Sequence, residues 1–488
     1  MLSNMHFDII LIMLPLIAGM LGFLWPAVAR ILGIFTTAAG VISVIGLGWQ
    51  MQLNGTHLHA IGGWGAPLGI DLYADGLSLL MLAMTAIVGF AVSIYSSRYF
   101  THRHDEVRFW PIWLLLLSAL NALFLSADIF NLYVTLELMG LGAVTLSALA
   151  GGKLAIAGAM RYLLATLLGS MCYLLGVALL YHSFGTVDIA TLSARIDSSP
   201  AVWAALGLIL AGLALKTALF PLHFWLPPAH ASAPAPVSAV LSALVVKASF
   251  YILLRLWLSV FNNQQTGMGD GVDTLLGILG GTAVLWGSIQ ALRQTRLKLL
   301  IAYSTVAQIG YLFLAFPLAA ASGGLAWNAV AYLALSHALA KAAMFLCAGN
   351  LLRFGGHDRI ADLDRVVQRL PLTAGAFALA GVSIMGLPPS GGFIGKWLLL
   401  KASLDQGNWA ITTVLILGGL LAAAYIFKVL GHTFIQAPQP HEATAVPARM
   451  EWAALLLASS AIILGFMASP ILELVNIGDA FTSPGIKL

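Results

Sequence analysis

Residues 212–230 read GLALKTALFPLHFWLPPAH. An apolar run carries Lys216 in its interior, breaks at Pro221, and then sets His223 and His230 on either side of Pro227 and Pro228. Whether that lysine is a surface residue or a buried site depends on the solvent around the segment, and composition decides the solvent. The chain is 488 residues long, 60% hydrophobic and only 9% charged, whereas a soluble domain is about a quarter charged. So few charges cannot cover a globule of this size, and the surrounding medium is lipid. A spanning helix takes about 20 apolar residues, and fourteen candidate spans follow the chain: 7–26, 32–50, 74–95, 110–127, 129–150, 157–181, 202–220, 237–260, 273–291, 297–316, 325–351, 372–388 continuing through 392–404, 409–433 and 451–472. These runs are too long for barrel strands and do not alternate. The first has no basic segment before it and a long apolar stretch, so it is expected to stay as a helix instead of being cleaved as a signal. The expected fold is an all-α polytopic membrane protein.

Lysines and arginines in short loops mark the cytoplasmic side of a membrane protein. Here they cluster after spans 1, 3, 5, 9 and 11 and around the loop between spans 13 and 14, with Arg195 and Lys401 as the main exceptions. Fourteen spans put all these clusters on one side and both termini outside, in the plasma (inner) membrane. The same distribution explains the basic pI of about 9.0 without nucleic acid as a partner. Cys172 and Cys347 are the only cysteines, so an iron–sulfur cluster or structural zinc held by this chain alone is not expected. No nucleotide-binding glycine loop or nucleophile elbow stands at convincing spacing. No cofactor is expected.

Of nine lysines, Lys216, Lys247, Lys341 and Lys396 lie within or beside apolar spans. Each charge at a bilayer centre costs roughly 2.5–3.5 kcal/mol on insertion scales. That cost is tolerated where lysines face the bundle interior and are hydrated, paired or neutral, and a desolvated lysine gives up its proton near neutrality. Glu137, in DIFNLYVTLELMGLGAV, is the one acid in the middle of a span and needs a partner; Lys216 is the first choice. His337 and Lys341 are spaced i, i+4 and share a helix face, which suits a proton relay because histidine titrates near neutral pH. Glu137, Lys216, Lys247, His337, Lys341 and Lys396 are therefore the candidate relay, with His223 and His230 as further candidates. The bland alternatives are helix glue for the glutamate, snorkelling for the lysines and loop packing for the two histidines. Lys298, at a span entrance, and Arg255 read as structural.

A second proline-broken segment, GVSIMGLPPSGGFIGKWLLLKAS, carries Pro388 and Pro389 ahead of Lys396. Broken helices inside a membrane are tolerated where they line protein or a wet cavity. Two of them five spans apart suggest inverted repeats of spans 4–8 and 9–13, although Lys216 precedes its break while Lys396 follows its own. The expected division is 1–106 (helices 1–3), 107–262 (first repeat), 263–436 (second repeat) and 437–488 (helix 14 and tail).

The stretches LALKTALFPLHFWLPPAHASAPAPVSAVLSALVVKASFYILLRL and RLKLLIAYSTVAQIGY closely resemble the proton-translocating, antiporter-like subunits of respiratory complex I and of Mrp-type cation/proton antiporters. DIFNLYVTLELM, SHALAKAAMFLCAGNL and GLPPSGGFIGKW extend the likeness from about 70 to 435. The resemblance implies fourteen helices, inverted five-helix repeats, broken helices 7 and 12, and a polar axis along the membrane. It maps Glu137 onto the helix 5 glutamate, Lys216 onto the helix 7 lysine, Lys247 onto the helix 8 lysine, His337 onto the helix 11 histidine and Lys396 onto the terminal residue of helix 12. Gln308 stands where many relatives have histidine. Lysine at 396 is similar to the D-type subunits of Mrp antiporters and to several complex I paralogues, and the length best resembles the D-type subunits. The implied function is proton conduction within a complex of other membrane subunits, small antiporter subunits and a larger antiporter-like one, with H+ and a cation such as Na+ moving. The alternative is a proton-pumping subunit of a redox-driven complex, an NADH:quinone oxidoreductase or an energy-converting hydrogenase.

Overall fold

The computed structural model describes residues 5–66, 69–261, 269–319, 322, 324–437, 443–478 and 481. Among the described residues, thirteen helices are long and apolar enough to cross a membrane. Two 15-residue helices, Pro371–Met385 and Gly391–Asp405, together make a fourteenth crossing. Numbered by crossing, they are α1 (Phe7–Leu24), α2 (Ala29–Asn54), α3 (Gly76–Tyr99), α4 (Arg103–Leu125), α5 (Ile129–Ala148), α6 (Gly152–Phe184), α7 (Pro200–Thr217, resuming at Leu226–Ser232) and α8 (Ala235–Phe261). The second half holds α9 (Gly269–Arg293), α10 (Leu297–Phe313), α11 (Leu325–Gly355), the broken α12 (Pro371–Met385 and Gly391–Asp405), α13 (Trp409–Thr433) and α14 (Ala448–Phe466). Each expected span coincides with one of these crossings, and the chain is a multi-pass membrane protein.

The two breaks share a local geometry. The first half of α7 ends on Ala218 in the left-handed region (φ 59°), and the first half of α12 ends on Gly386 in the same region (φ 81°). In each, a proline follows three residues later, Pro221 and Pro389, both in cis peptide bonds. The two breaks lie five crossings apart, one in α7 and one in α12.

Helices α8 and α11 are the most deeply buried of the crossings, while α1 and α2 sit at the rim. The most secluded helices therefore carry Lys247, His337 and Lys341. Close approach also governs α6 and α7: a Cβ on Gly212 would lie 2.3 Å from the Gly169 carbonyl oxygen, so only glycine lets these backbones touch just above Lys216.

Charge separates the two ends of the bundle. At one end the basic loops are tied to one another: Arg30 to Glu106 at 3.3 Å, Arg296 to Asp358 at 2.9 Å, Arg353 to the Arg98 carbonyl at 2.9 Å, and Lys428 to the carbonyls of Leu292 and Gln294. At the other end, Asp75 and Asp128 cap α3 and α5 by accepting from the N–H groups of Ser78 and Asn131, the usual use of Asp at a helix start. A small antiparallel hairpin, β1 (His57–Ala60) and β2 (Asp71–Ala74), closes this acidic end between α2 and α3.

Candidate functional site

The pairing expected from the scarcity of buried acids is present. Lys216 Nζ donates to Glu137 Oε1 at 3.2 Å, the lysine side chain 3% and the glutamate side chain 19% exposed. Local sequence explains why Lys216 is held there. It lies in the last turn before the break, and the Trp225 indole, stacked on Tyr162 at 4.4 Å, reaches back to the Leu215 carbonyl at 2.9 Å. The break is thus pinned against the lysine-bearing turn.

Lys247 is wholly buried and donates to the Ser242 carbonyl. That acceptor lies in a π-helical turn, Leu241–Val245, a local widening common at functional sites. Ser242 also pairs its hydroxyl with Thr305 of α10 at 2.8 Å. Lys341 donates to Ser304 Oγ and, at 3.2 Å, to the Ile301 carbonyl of the same helix. His337, one turn away on α11, is buried, and neither ring nitrogen has a hydrogen-bond partner among the described residues. It lies in the electrostatic field of Lys247, Lys341 and Lys396.

Lys396 lies against the end of α12's first half. Its Nζ donates to the Ile384 carbonyl at 2.7 Å and sits 4.3 Å from the centre of the Tyr311 ring, a cation–π arrangement. Gln308 donates to the same Ile384 carbonyl at 3.3 Å, which makes it a neighbour of Lys396.

The two weaker candidates part company. His230 is fully buried and stacked on Phe345 at 4.8 Å, with both ring nitrogens unpartnered among the described residues, and lies in the field of Lys298, Lys341 and Lys247. His223 is half-buried, stacked on Phe220 at 5.6 Å, and joins none of these groups. Lys298, read as structural, is held inside the bundle. It is 3% exposed and donates to the Ala233 carbonyl between α7 and α8, because the end of the broken α7 supplies a bare carbonyl within its reach. Arg255 is structural as expected: it forks onto both oxygens of Asp75 and onto Ser78 and Tyr251.

At the acidic end, a cavity of about 370 Å³ is lined by Asp71, Tyr73, Asp75, Asp188 and Arg255 among others. Burial, with the Asp75 carboxylate adding to it, pushes the Tyr73 phenol up to about 12, so it stays a neutral donor. Burial also raises the Asp128 carboxyl from its ordinary value.

The profile of the family described as "NADH:quinone oxidoreductase/Mrp antiporter, TM" matches residues 126–422, and that of "NADH-Ubiquinone oxidoreductase (complex I), chain 5 N-terminus" matches 64–110. The chain is 35% identical over 454 residues to the N subunit of the NADH-quinone oxidoreductase of Desulforudis audaxviator, covering 89% of this chain and 88% of the relative. It is 28% identical over 489 residues to the D subunit of the Na(+)/H(+) antiporter of Alkalihalophilus pseudofirmus, covering 98% and 97%. Its fold superposes on a chain of the membrane-bound sulfane sulfur reductase, an archaeal respiratory membrane complex, with a TM-score of 0.90, 27% identity and 98% coverage of both chains. Fold, buried charges and profile agree: the chain belongs to the antiporter-like membrane subunits of the NADH:quinone oxidoreductase/Mrp antiporter family.

Proposed function

We propose that this chain conducts protons along Glu137, Lys216, Lys247, His337/Lys341 and Lys396, as the D-type subunit of an Mrp-type Na+/H+ antiporter in the plasma membrane. The observation that carries the reading is the Lys216–Glu137 pair at 3.2 Å, continued by buried amines that each rest on a neutral acceptor. A unit-charge pair about 4 Å apart is worth about 4 kcal/mol at an effective dielectric of about 20. Parting it leaves an ammonium uncompensated in an apolar shell, and the proton is the piece that can leave. About 4 kcal/mol corresponds to roughly a thousandfold change in a proton equilibrium, enough for a conformational driver to gate transfer.

The driver acts from the side of α5. Phe130, Val134, Leu138 and Leu141 form an exposed apolar stripe beside Glu137, suited to a neighbouring membrane protein that pushes on the glutamate. The acidic cavity is the outer mouth, and His230 joins Lys247 to Lys341. A second reading, a proton-pumping subunit of a redox-driven complex, is favoured by the 35% identity to an NADH-quinone oxidoreductase subunit. The proteins that co-purify separate the two: small membrane subunits for the antiporter, iron–sulfur or nickel subunits for the pump.

The test is cation-driven proton movement in everted vesicles carrying the intact complex. Glu137→Gln and Lys216→Met are each expected to lower the rate to about a tenth or less, an effect of about 1.4 kcal/mol on the barrier. Transport at the wild-type rate in both variants would sink the relay.

A further inference from the structure

We propose that His6, Asp8, His57 and His59 form a binding site for a divalent transition-metal ion of the zinc class. The four residues come from two places in the chain. His6 and Asp8 stand at the start of α1, and His57 and His59 alternate along β1, so both imidazoles leave the same face of the strand. The Leu58 side chain between them is 66% exposed.

Asp8 is the centre of the group. It is wholly buried, its Oδ1 has no hydrogen-bond partner among the described residues, and its Oδ2 lies 2.6 Å from His59 Nδ1 and 3.6 Å from His57 Nε2. The His6 ring centre is 4.7 Å from that of His59. Ligand atoms of His6, Asp8 and His59 all fall within 4.8 Å of one another. A small cavity of about 90 Å³, lined by His6, His57, Gln50 and Met51 among others, opens beside them. No lysine or arginine pairs with Asp8 among the described residues, so its positive complement comes from imidazoles or from an ion. Buried carboxylates are kept where they are paired or coordinate a metal.

The donor set chooses the ion. Imidazoles with one carboxylate suit zinc, nickel, copper or iron(II), whereas calcium and magnesium take oxygen ligands. Zinc binds at about 2.0–2.1 Å to nitrogen in a tetrahedron, which sets neighbouring donor atoms roughly 3.3 Å apart. The separations of 2.6 and 3.6 Å bracket that value, so small side-chain shifts replace the Asp8–His59 hydrogen bond by two metal bonds. A bound ion would clamp α1 to the hairpin whose second strand supplies Asp71 and Tyr73 to the acidic cavity.

The test uses the full chain, stripped with a chelator in detergent or nanodiscs and titrated with Zn2+ by calorimetry and with Co2+ by visible absorption. The proposal expects one equivalent of Zn2+ per chain and Co2+ bands of tetrahedral intensity. Loss of a partner that merely supports a metal ligand costs about 10–100-fold in affinity, so Asp8→Asn and His59→Gln should each weaken binding at least about tenfold. His102→Gln, at the opposite end of the bundle, should leave it unchanged. Absence of saturable Zn2+ binding to the wild-type chain overturns the proposal, and this holds even if a variant does not fold. Equal affinity in Asp8→Asn and His59→Gln, with both variants monodisperse, also overturns it and leaves a purely hydrogen-bonded cluster.

Discussion

Lys216 and Arg255 are both buried cations with an acidic partner, yet they are built for different work. Arg255 is saturated: Asp75 takes two of its N–H groups, and Ser78 and Tyr251 complete the fork. Removing one side of such a pair typically costs about 3–5 kcal/mol because the other charge is stranded. Arg255→Met should therefore lower stability by about that much in thermal unfolding of the purified chain, and Asp75→Asn in the Arg255→Met background should recover part of it. Burial alone would lift the Asp75 carboxyl, but Arg255 and the Ser78 N–H outweigh it and hold the carboxyl below its ordinary 3.8. The stabilisation is then present in full above pH 3.8 and lost as pH falls through the lower folded value. A pH series of melting temperatures should show that acid loss in the wild type and a smaller one in Asp75→Asn. Lys216, with one partner that is itself partly exposed, has no such lock. The sequence disclosed this pair because Glu137 is the sole acid in mid-span. It did not disclose the acceptors of Lys247, Lys298 and Lys396, which are backbone carbonyls and carry no residue signature. Nor did it disclose the cluster around Asp8, whose members lie about fifty positions apart.

The elements that position these groups are the irregular ones. The breaks in α7 and α12 and the π-turn in α8 supply the carbonyls of Ala233, Ile384 and Ser242 to three lysines, while Lys341 reaches the Ile301 carbonyl within α10. The prolines made the breaks legible in advance. The π-turn was not, since LSALV carries nothing that distinguishes it from ordinary helix. Gly386 is the element-scale test. A Cβ there would lie 2.6 Å from Lys396 Cδ, and its positive φ is left-handed, which costs a non-glycine residue roughly 1–2 kcal/mol. Gly386→Ala should lower stability by about that amount and slow proton transport by displacing Lys396. Gly375→Ala, earlier in the same helix with open space around it, should change stability by no more than about 0.5 kcal/mol. Equal effects from the two substitutions would show that the Lys396 contact is incidental.

At the scale of the whole molecule, the two ends differ in charge: tied arginines and lysines at one, capping aspartates and the hairpin at the other. The proposed orientation puts the basic end in the cytoplasm. Helix α6 has 33 residues and is about 50 Å long, longer than the hydrocarbon layer of about 30 Å, so its ends report on opposite sides. In a background with Cys172→Ala and Cys347→Ala, an impermeant thiol reagent added to intact cells should label His182→Cys and leave Lys153→Cys unlabelled. The reverse pattern would invert the orientation. The span count was readable because long apolar runs admit few alternatives; the packing order was not, because every helix is apolar on most sides.

The line of buried amines has a further consequence, which concerns capacity. Among the described residues, Glu137 is the one carboxylate paired with any of Lys216, Lys247, Lys341 and Lys396, and Lys341 and His337 both lie in the field of Lys247 and Lys396. If every amine carried a proton, three positive charges would stand uncompensated in a medium that tolerates hardly one. The row therefore cannot be filled at once. In the proposed relay, loading one end raises the cost of occupancy further along, so protons would advance as a queue in which each arrival presses on the next departure. Throughput is then set by how few charges the row holds together, not by how many sites it has.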